Sequence, residues 1–459
     1  MPAMIPRTIL FACLLVAPGI AQGEARSRPN VVIVIADDCT ASDMAVYGGQ
    51  AATPNMAKLA SEGMQFSHCF QAAPMCSPTR HALYTGLYPV KSGAWPNHTR
   101  AYAWVRSIPS YLKSVGYRCH LSGKTHIGPR QVFPFEYSKK KNNPDMAAVG
   151  QFLRECAEQD TPFVLVAASN EPHAPWNKGD VSAYPASEIK LPPVLADTPR
   201  TRELFANYLA EITYFDSQVG RVMALLDQHG HREDTLVLVL SEQGNAFPFA
   251  KWTCYENGLR SGMIARWPGK IAKASRSNAL VEYVDVVPTI LEIAGQPRPE
   301  VLDGASFRKV LLGEAETHKE FVFGLQTSRG INSGPEHYGI RSVRGRRYRL
   351  IRNLTPDAKF ENTITASGDK FGWDSWLRAV ADGDKRAERL VLEYHFRPPE
   401  ELYDCDADPF NRKNLIGQSD LDPVVKRLRA ELDAWMKRQQ DSGQGIEMRA
   451  RERMRRRGK

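Results

Sequence analysis

Four short apolar runs, each followed by charged or polar residues, constrain the fold of this chain most strongly. The runs cover residues 31–35, 117–122, 163–166 and 236–240, and they are nearly continuous in hydrophobicity instead of alternating. Such runs are typical of strands in a parallel sheet that is covered by helices on both faces. The sequence therefore predicts an α/β fold with a large, mixed but mostly parallel central sheet.

The residues that follow these runs are candidates for a functional site. Ligands of open α/β sheets bind outside the carboxyl ends of the strands, so the polar residues at the four ends are expected to meet. These residues are Asp37 and Asp38 after the first run, Lys124 and His126 after the second, Glu171 and His173 after the third, and Glu242 and Gln243 after the fourth.

The pattern changes after residue 338. Residues 340–351 form two strand-like halves around Gly345, which predicts an antiparallel hairpin, and residues 421–436 have the spacing of an amphipathic helix. We therefore predict a catalytic domain over 24–338, a smaller C-terminal α+β domain with an antiparallel sheet over 339–448, and a basic tail over 449–459.

The N-terminus resembles an export signal. The apolar run 9–21 follows Arg7, and Ala21 and Gly23 have the small side chains that signal peptidase requires. We predict a signal peptide over 1–23 and an exported, periplasmic or extracellular protein; lipidation at Cys13 is the weaker alternative. No apolar stretch reaches the roughly 18 residues of a membrane span, so none is expected.

Charge and cysteine spacing exclude several classes of protein. Seven Lys or Arg residues against one Glu in 449–459 supply most of the net charge of +9, so the remaining chain is nearly balanced and no nucleic-acid surface is indicated. We interpret the tail as a solvated helix end, with a polyanion-binding arm as the alternative. The eight cysteines include no CxxC pair, which excludes a zinc module; export would permit disulfides, but the spacing assigns no pair.

The adjacent carboxylates of Asp37 and Asp38 suggest a metal site. Like charges at the end of a buried strand must be neutralised by a cation or by protonation. Oxygen ligands favour Ca²⁺, with Mg²⁺ as the alternative. The structural alternative is that one Asp caps a helix while the other faces solvent.

A second motif surrounds Cys76. Residues 76–80 read Cys-Ser-Pro-Thr-Arg and begin a helical segment that ends at Gly86. Position 76 therefore lies near a helix N-terminus, where unpaired N–H groups favour an anion. Taken alone, a cysteine such as Cys76 is more often a small buried apolar residue than a nucleophile.

Residues 76–80 match the C-x-P-x-R signature of the type I, formylglycine-dependent sulfatases, and the chain resembles that family over most of its length. The similarity includes residues 28–38, 123–129, 132–135, 172–173, 266–270 and 401–404. Within the family the chain is most similar to the heparan N-sulfatases, the sulfamidases. The resemblance implies an alkaline-phosphatase-like α/β sandwich.

The resemblance also implies a mechanism. A separate formylglycine-generating enzyme would oxidise Cys76 to Cα-formylglycine, one hydroxyl of whose hydrate attacks the sulfur, while the second later loses a proton and expels sulfate. The implied metal ligands are Asp37, Asp38, the residue derived from Cys76, Glu242 and Gln243. Many family members have Asp followed by Asn or His at the last two positions, so Asn245 is an alternative ligand.

Basic residues can stabilise the negative charge on the oxygens of a sulfuryl group during its transfer. Lys124 and Lys251 are expected to bind the substrate and stabilise its equatorial oxygens, and Arg80 is expected to orient the hydrated aldehyde. Lys251 stands where the mammalian sulfamidase has Arg.

Three histidines complete the candidate site. We assign His173 as the acid that protonates the leaving group and His126 as the partner of the formylglycine diol, although the two roles are exchangeable. His98 is a candidate sugar contact or a surface-loop residue. Residues 326–337 are expected to form a lip for the substrate.

These features predict a sulfatase that acts on a sulfated sugar or glycosaminoglycan, with N-sulfoglucosamine as the first candidate substrate. The alternatives are an O-sulfatase on another polysaccharide, a phosphodiesterase or phosphonate hydrolase on the same scaffold, and a catalytically silent glycan-binding relative. The expected partners are the sulfated carbohydrate and the maturation enzyme. The sequence does not determine the oligomeric state.

Overall fold

The computed structural model describes residues 28–455. The predicted signal peptide, Cys13 and the last four residues of the basic tail lie outside this range. Among the described residues, no helix combines the length and the apolar character that crossing a bilayer requires.

The central sheet has nine strands in the described part of the chain, and strands β3, β5, β1 and β6 lie side by side and parallel. The strands are β1 (Asn30–Ile35), β2 (Met64–Phe70), β3 (Arg118–Gly123), β4 (Glu136–Tyr137), β5 (Phe163–Ala168), β6 (Thr235–Leu240), β7 (Arg260–Arg266), β8 (Ser275–Ser277) and β9 (Val281–Glu282). Strand β7 runs antiparallel to β6 and β2, so the sheet is mixed. All four predicted runs are confirmed as strands.

Helices cover both faces of this sheet. The α-helices up to residue 311 are α1 (Pro54–Ser61), α2 (Cys76–Thr85), α3 (Pro89–Ser92), α4 (Ile108–Leu112), α5 (Met146–Glu158), α6 (Pro199–Gln228), α7 (Glu256–Leu259), α8 (Val286–Ile293) and α9 (Arg308–Leu311). Alternate residues of β1 enter different cores: Val32 packs with α1, α5 and α6, whereas Ile33 packs with α2, α4 and α8. Burial on both faces explains why the strand lacks polar alternation, and it confirms the predicted sandwich.

A second, antiparallel sheet follows. It contains β10 (Val322–Thr327), β11 (Gly339–Arg344), β12 (Tyr348–Asn353) and β13 (Glu400–Asp404). The hairpin around Gly345 is confirmed, and helix α13 (Asp422–Arg438) covers the predicted amphipathic segment. Strand β10 pairs with β11 although it precedes residue 338, so the sheet takes one strand from the segment assigned to the first domain. The domain limits themselves stay a prediction.

The remaining helices are α10 (Thr363–Ala366), α11 (Trp373–Ala381), α12 (Lys385–His395) and α14 (Gln444–Arg455). Helix α14 differs from the predicted solvated tail. The Arg453 guanidinium lies 4.3 Å from the Tyr102 ring centroid and donates to the Gly93 carbonyl at 2.8 Å, so cation–π and hydrogen-bond contacts attach the tail to the body of the protein.

Candidate active site

The four parallel strand ends bring their polar residues to one place. Lys251 Nζ lies 2.6 Å from Asp38 Oδ2, and His173 Nε2 lies 3.7 Å from the same oxygen. The Lys124 ammonium donates to Asp37, and the Gln243 amide donates to Asp38. The convergence follows from strand order, because β3, β5, β1 and β6 are direct neighbours.

Backbone strain marks the same strand ends. Asp38, His126 and Gln243 have φ angles of 59°, 48° and 42°, in the left-handed region that non-glycine residues rarely adopt. Gly123, which precedes Lys124, has φ 98°, and a Cβ there would lie 2.0 Å from the Ala168 carbonyl oxygen. Such conformations persist only where the surrounding structure holds them, and they cluster at functional sites.

The twin aspartates are buried and paired with ammonium groups. Asp37 and Asp38 have exposed fractions of 0% and 1%, so the lysines supply the charge compensation that burial requires. Burial opposes ionisation of Asp38, but Lys251 and then His173 outweigh it and lower the pKa of this carboxyl below its usual value. Asp38 is therefore held as a carboxylate.

Arg80 and Glu242 form a second buried pair. Arg80 Nε lies 2.9 Å from Glu242 Oε1, and Arg80 Nη2 lies 2.6 Å from Oε2. Arg80 also donates to the Lys124 and Ala36 carbonyls. Burial raises the pKa of Glu242, against the effect of Arg80. Through these contacts, Arg80 joins helix α2 to the ends of three strands. The roles of Arg80 as orienting group and of Glu242 as metal ligand stay predictions.

Cys76 is the first residue of α2 and faces this cluster. Its Sγ lies 3.2 Å from His126 Nδ1 and 4.0 Å from Asn97 Oδ1. Burial raises the pKa of the thiol to about 11, so it is protonated at neutral pH and is a poor thiolate nucleophile. A reaction at this position that depends on a thiolate is therefore disfavoured.

The histidines at the site are neutral. Burial, with Lys124 and Arg80, lowers the pKa of His126 to about 2, and burial lowers the pKa of His173 to about 4. His173 Nδ1 lies 2.7 Å from the Ala174 carbonyl oxygen and donates to it, which leaves Nε2 directed at Asp38. The exposed His98 ring packs edge-on against His126 at 5.2 Å.

Two buried oxygen atoms beside the aspartates have no partner. Asp37 Oδ1 and Gln243 Oε1 accept no hydrogen bond from the described residues. A hard cation would satisfy them, since carboxylate and amide oxygens are its preferred ligands. In residues 28–455 no group of three His, Cys, Asp or Glu residues is arranged to hold a metal. The carboxylates at the strand ends contact Lys124, Lys251 and Arg80.

Sequence reasoning missed some of the site. Asn97, next to His98, contacts the thiol, and only its polar character between Pro96 and His98 hints at this. Asn245, the alternative ligand, instead donates to Asp43 at 2.9 Å. The expected lip lies nearby, since a Cβ on Gly330 would lie 2.4 Å from the Asn97 carbonyl oxygen. The tight backbone contact places Gly330 of the 326–337 segment against Asn97, whose side chain contacts the thiol.

Two family models and several curated relatives match this chain. The model of the sulfatase family matches residues 29–296, and the model described as N-sulphoglucosamine sulphohydrolase, C-terminal, matches residues 244–363. An ulvan-active sulfatase of Formosa agariphila is 30% identical over 427 residues, covering 90% of this chain and 81% of its own. The human N-sulphoglucosamine sulphohydrolase is 27% identical and covers 91% of each chain.

A solved structure shares the fold. The structure of a protein in complex with its substrate D-glucosamine-2-N,6-O-disulfate superposes with a TM-score of 0.68 at 19% identity, covering 90% of this chain and 99% of that one.

The two sheets and their helical layers define an α/β protein of the alkaline-phosphatase-like fold. Within that class, the chain belongs to the sulfatase family. It is a sulfuric ester hydrolase.

Proposed function

We propose that this protein, after oxidation of Cys76 to formylglycine, removes sulfate from N-sulfoglucosamine in an exported compartment, periplasmic or extracellular. The observation that carries the proposal is the convergence of four strand ends, where Asp37 and Gln243 each keep an unsatisfied oxygen atom and His126 contacts the Cys76 thiol. A protonated, buried cysteine is unsuited to direct attack, so the proposal requires that Cys76 is converted before the chain has folded around it.

Asp37, Asp38, Gln243 and residue 76 would hold the divalent cation, with Glu242 as the further ligand. A bound Ca²⁺ or Mg²⁺ would supply Lewis acidity that lowers the pKa of a hydroxyl at residue 76, and positive charge that offsets the sulfate. When all groups are ionised, the charges of three carboxylates and three basic side chains at the site cancel. A bound divalent cation would therefore give the site a net positive charge, which favours binding of an anion. The balancing groups are Asp37, Asp38, Glu242, Arg80, Lys124 and Lys251.

The basic residues have distinct tasks. Lys124 and Lys251 supply positive charge beside residue 76, where charge develops on the sulfuryl oxygens. Burial lowers the pKa of Lys124 to about 7, and a bound sulfate favours its charged form. Arg80 acts on residue 76 from the same helix, one turn away, and its pairing with Glu242 fixes that helix on the sheet.

The histidines hold or move protons. His126 Nδ1, at 3.2 Å from the sulfur of Cys76, is placed to hydrogen-bond a hydroxyl at that position, and its low pKa keeps the ring neutral. His173 stands at the mouth with a third of its side chain exposed, and its Nε2 is the atom that would protonate the departing nitrogen or oxygen. A bound sulfate ester raises the pKa of this imidazole from about 4, because the negative charge favours the protonated ring.

Two substrates compete. N-sulfoglucosamine is supported by the family model over 244–363, which includes Lys251, and by the human relative of matching length. An O-sulfate of another polysaccharide is supported by the ulvan-active relative.

The deciding experiment uses protein co-expressed with a formylglycine-generating enzyme and incubated with N-sulfoglucosamine and its 3-O- and 6-O-sulfated isomers. We expect free amine and sulfate in equal amounts from the N-sulfate. Sulfate release from O-sulfates alone would replace the first substrate by the second. Absence of formylglycine at position 76, by mass spectrometry of the matured protein, would favour a silent glycan-binding relative.

A further inference from the structure

A cavity of about 460 Å³ lies between helix α14 and the 90–104 segment, outside the candidate active site. Its walls carry both aromatic and basic side chains. The aromatic members are Trp95, Tyr102 and Trp104, and the basic members include Arg438, Arg449 and Arg453. We name this cavity the α14 cleft.

The aromatic wall presents an exposed ring face. Trp104 is 53% exposed, although tryptophan is a costly residue to leave in water, and it stacks on Tyr102 at 6.5 Å with an interplanar angle of 19°. Trp95 is buried, and its indole N–H has no acceptor among the described residues. A flat aromatic platform beside polar groups is suited to a ligand with both apolar faces and polar edges, such as a sugar ring.

The basic wall carries surplus charge. In residues 28–455 neither Arg438 nor Arg449 forms a salt bridge, and Glu452 is the one acidic residue of the lining. The α14 cleft therefore has unneutralised positive charge and favours an anionic ligand.

The cleft adjoins the active site through one loop. Trp95 lies two residues before Asn97, so the Cα atoms of Trp95 and Asn97 are at most about 7 Å apart. The Asn97 side chain contacts Cys76. Helix α14 is also linked to the lip, because Glu336 accepts from both Arg329 and Arg451. A ligand in the cleft and a substrate at Cys76 would thus be neighbours.

We propose that the α14 cleft binds a second, sulfated sugar unit of the same glycan chain whose reacting unit occupies the active site. The inference rests on the proposed function and extends it, since it makes the substrate an oligosaccharide. The guanidinium groups of Arg438 and Arg449 bind sulfate oxygens with paired N–H donors, and Trp104 stacks on the sugar face.

Binding is measured by calorimetry on Cys76→Ala protein, which cannot turn over, with sulfated hexasaccharides from heparin and from ulvan and with their desulfated forms. The cleft variant is Arg438→Ser with Arg449→Ser, and the matched control is Arg154→Ser with Arg276→Ser, two exposed arginines outside the cleft. We expect the cleft variant to raise the Kd for a sulfated hexasaccharide by at least about tenfold and the control variant to change it little. The desulfated hexasaccharides should bind to neither the cleft variant nor the control. Equal binding by both variants would overturn the proposal.

Trp104→Ala supplies a kinetic test in the matured enzyme, and its exposure makes a folding defect a minor concern. We expect kcat/KM on the hexasaccharide to fall about fivefold or more, with the rate on 4-nitrophenyl sulfate unchanged. Unchanged kinetics on the hexasaccharide would contradict the proposal for the α14 cleft, but not the proposed function. Failure of the matured wild-type protein to hydrolyse any sulfate would instead refute the proposed function, while the calorimetry would still report on the cleft.

Discussion

Two buried clusters of charged residues differ in whether all of their polar groups have partners. At the interface of the two sheets, Glu256 Oε2 accepts from Arg344 at 3.1 Å and from Arg349 at 2.9 Å, and both guanidinium groups also pack on the Phe70 ring. At the strand ends, by contrast, the Asp37 and Gln243 oxygens lack partners and the backbone is strained.

The difference separates a structural role from a catalytic one. The interface cluster holds regular strands together and its carboxylate meets its own counter-ions, so it is complete without a ligand. The strand-end cluster keeps unmet hydrogen-bonding capacity and strained residues that only a ligand would compensate. Substitutions at the two sites test this distinction, and we expect the largest effect at Cys76 and the smallest at Glu256.

Cys76→Ala should abolish hydrolysis, lowering kcat by at least about 10⁴-fold, because the nucleophile is lost while the fold is retained. Initial rates on 4-nitrophenyl sulfate, together with thermal melts, provide the check. Cys119→Ala, which removes another buried thiol in strand β3, is the control and should remain active. Turnover above about a hundredth of the wild-type rate would contradict the role of residue 76.

Asp38→Asn should lower kcat/KM by about 10²- to 10³-fold, since it removes a carboxylate from the proposed metal site. It should also abolish the rise in Tm that Ca²⁺ gives the wild-type protein, because a ligand stabilises only the state that binds it. Glu256→Gln, in the complete cluster, should keep that rise. If Ca²⁺ stabilises Asp38→Asn as much as wild type, the metal lies elsewhere.

His173→Ala should affect substrates according to their leaving group. An acid matters most when the departing atom is a poor leaving group, so we expect a loss of about 10²-fold on a sugar sulfate and of less than about tenfold on 4-nitrophenyl sulfate. His229→Ala, at the end of helix α6, should change neither rate. Equal losses on both substrates would reject the acid role.

Glu256→Gln should leave the activity of folded protein within about twofold of wild type while lowering the free energy of unfolding. Arg344 and Arg349 outweigh burial and lower the pKa of Glu256 to about 2 from 4.5, which corresponds to stability on the order of 3 kcal/mol.

This contribution depends on pH in a defined direction. It is complete above about pH 4.5, where the unfolded carboxyl is ionised, and it is lost as pH falls towards 2 through the folded pKa. Denaturant unfolding at several pH values should therefore show the difference between wild type and Glu256→Gln shrinking in acid. Glu388→Gln, from an exposed pair with Lys385, should cost less than about 1 kcal/mol throughout. A pH-independent difference would indicate a packing effect instead.

Much of the fold was predictable because its signal is local. The run 31–35 identifies a strand buried on both faces, and Gly86 ends helix α2 with φ 70°, as the sequence around Cys76 suggested. The antiparallel strand β10 was missed, because the apolar residues 321–325 do not show whether they pair with the first sheet or with β11. Pairing is decided by residues distant in the chain.

The candidate site shows the same division. The sequence by itself determined that carboxylates, lysines and histidines follow neighbouring parallel strands, because hydrophobic periodicity and strand ends are properties of contiguous residues. Only the tertiary structure decided that Arg80 pairs with Glu242, that Asn97 contacts the thiol, and that helix α14 packs on Tyr102. The physical reason is that charge pairing and burial depend on distances between segments far apart in the chain, and these distances exist only once the sheets and helices have packed.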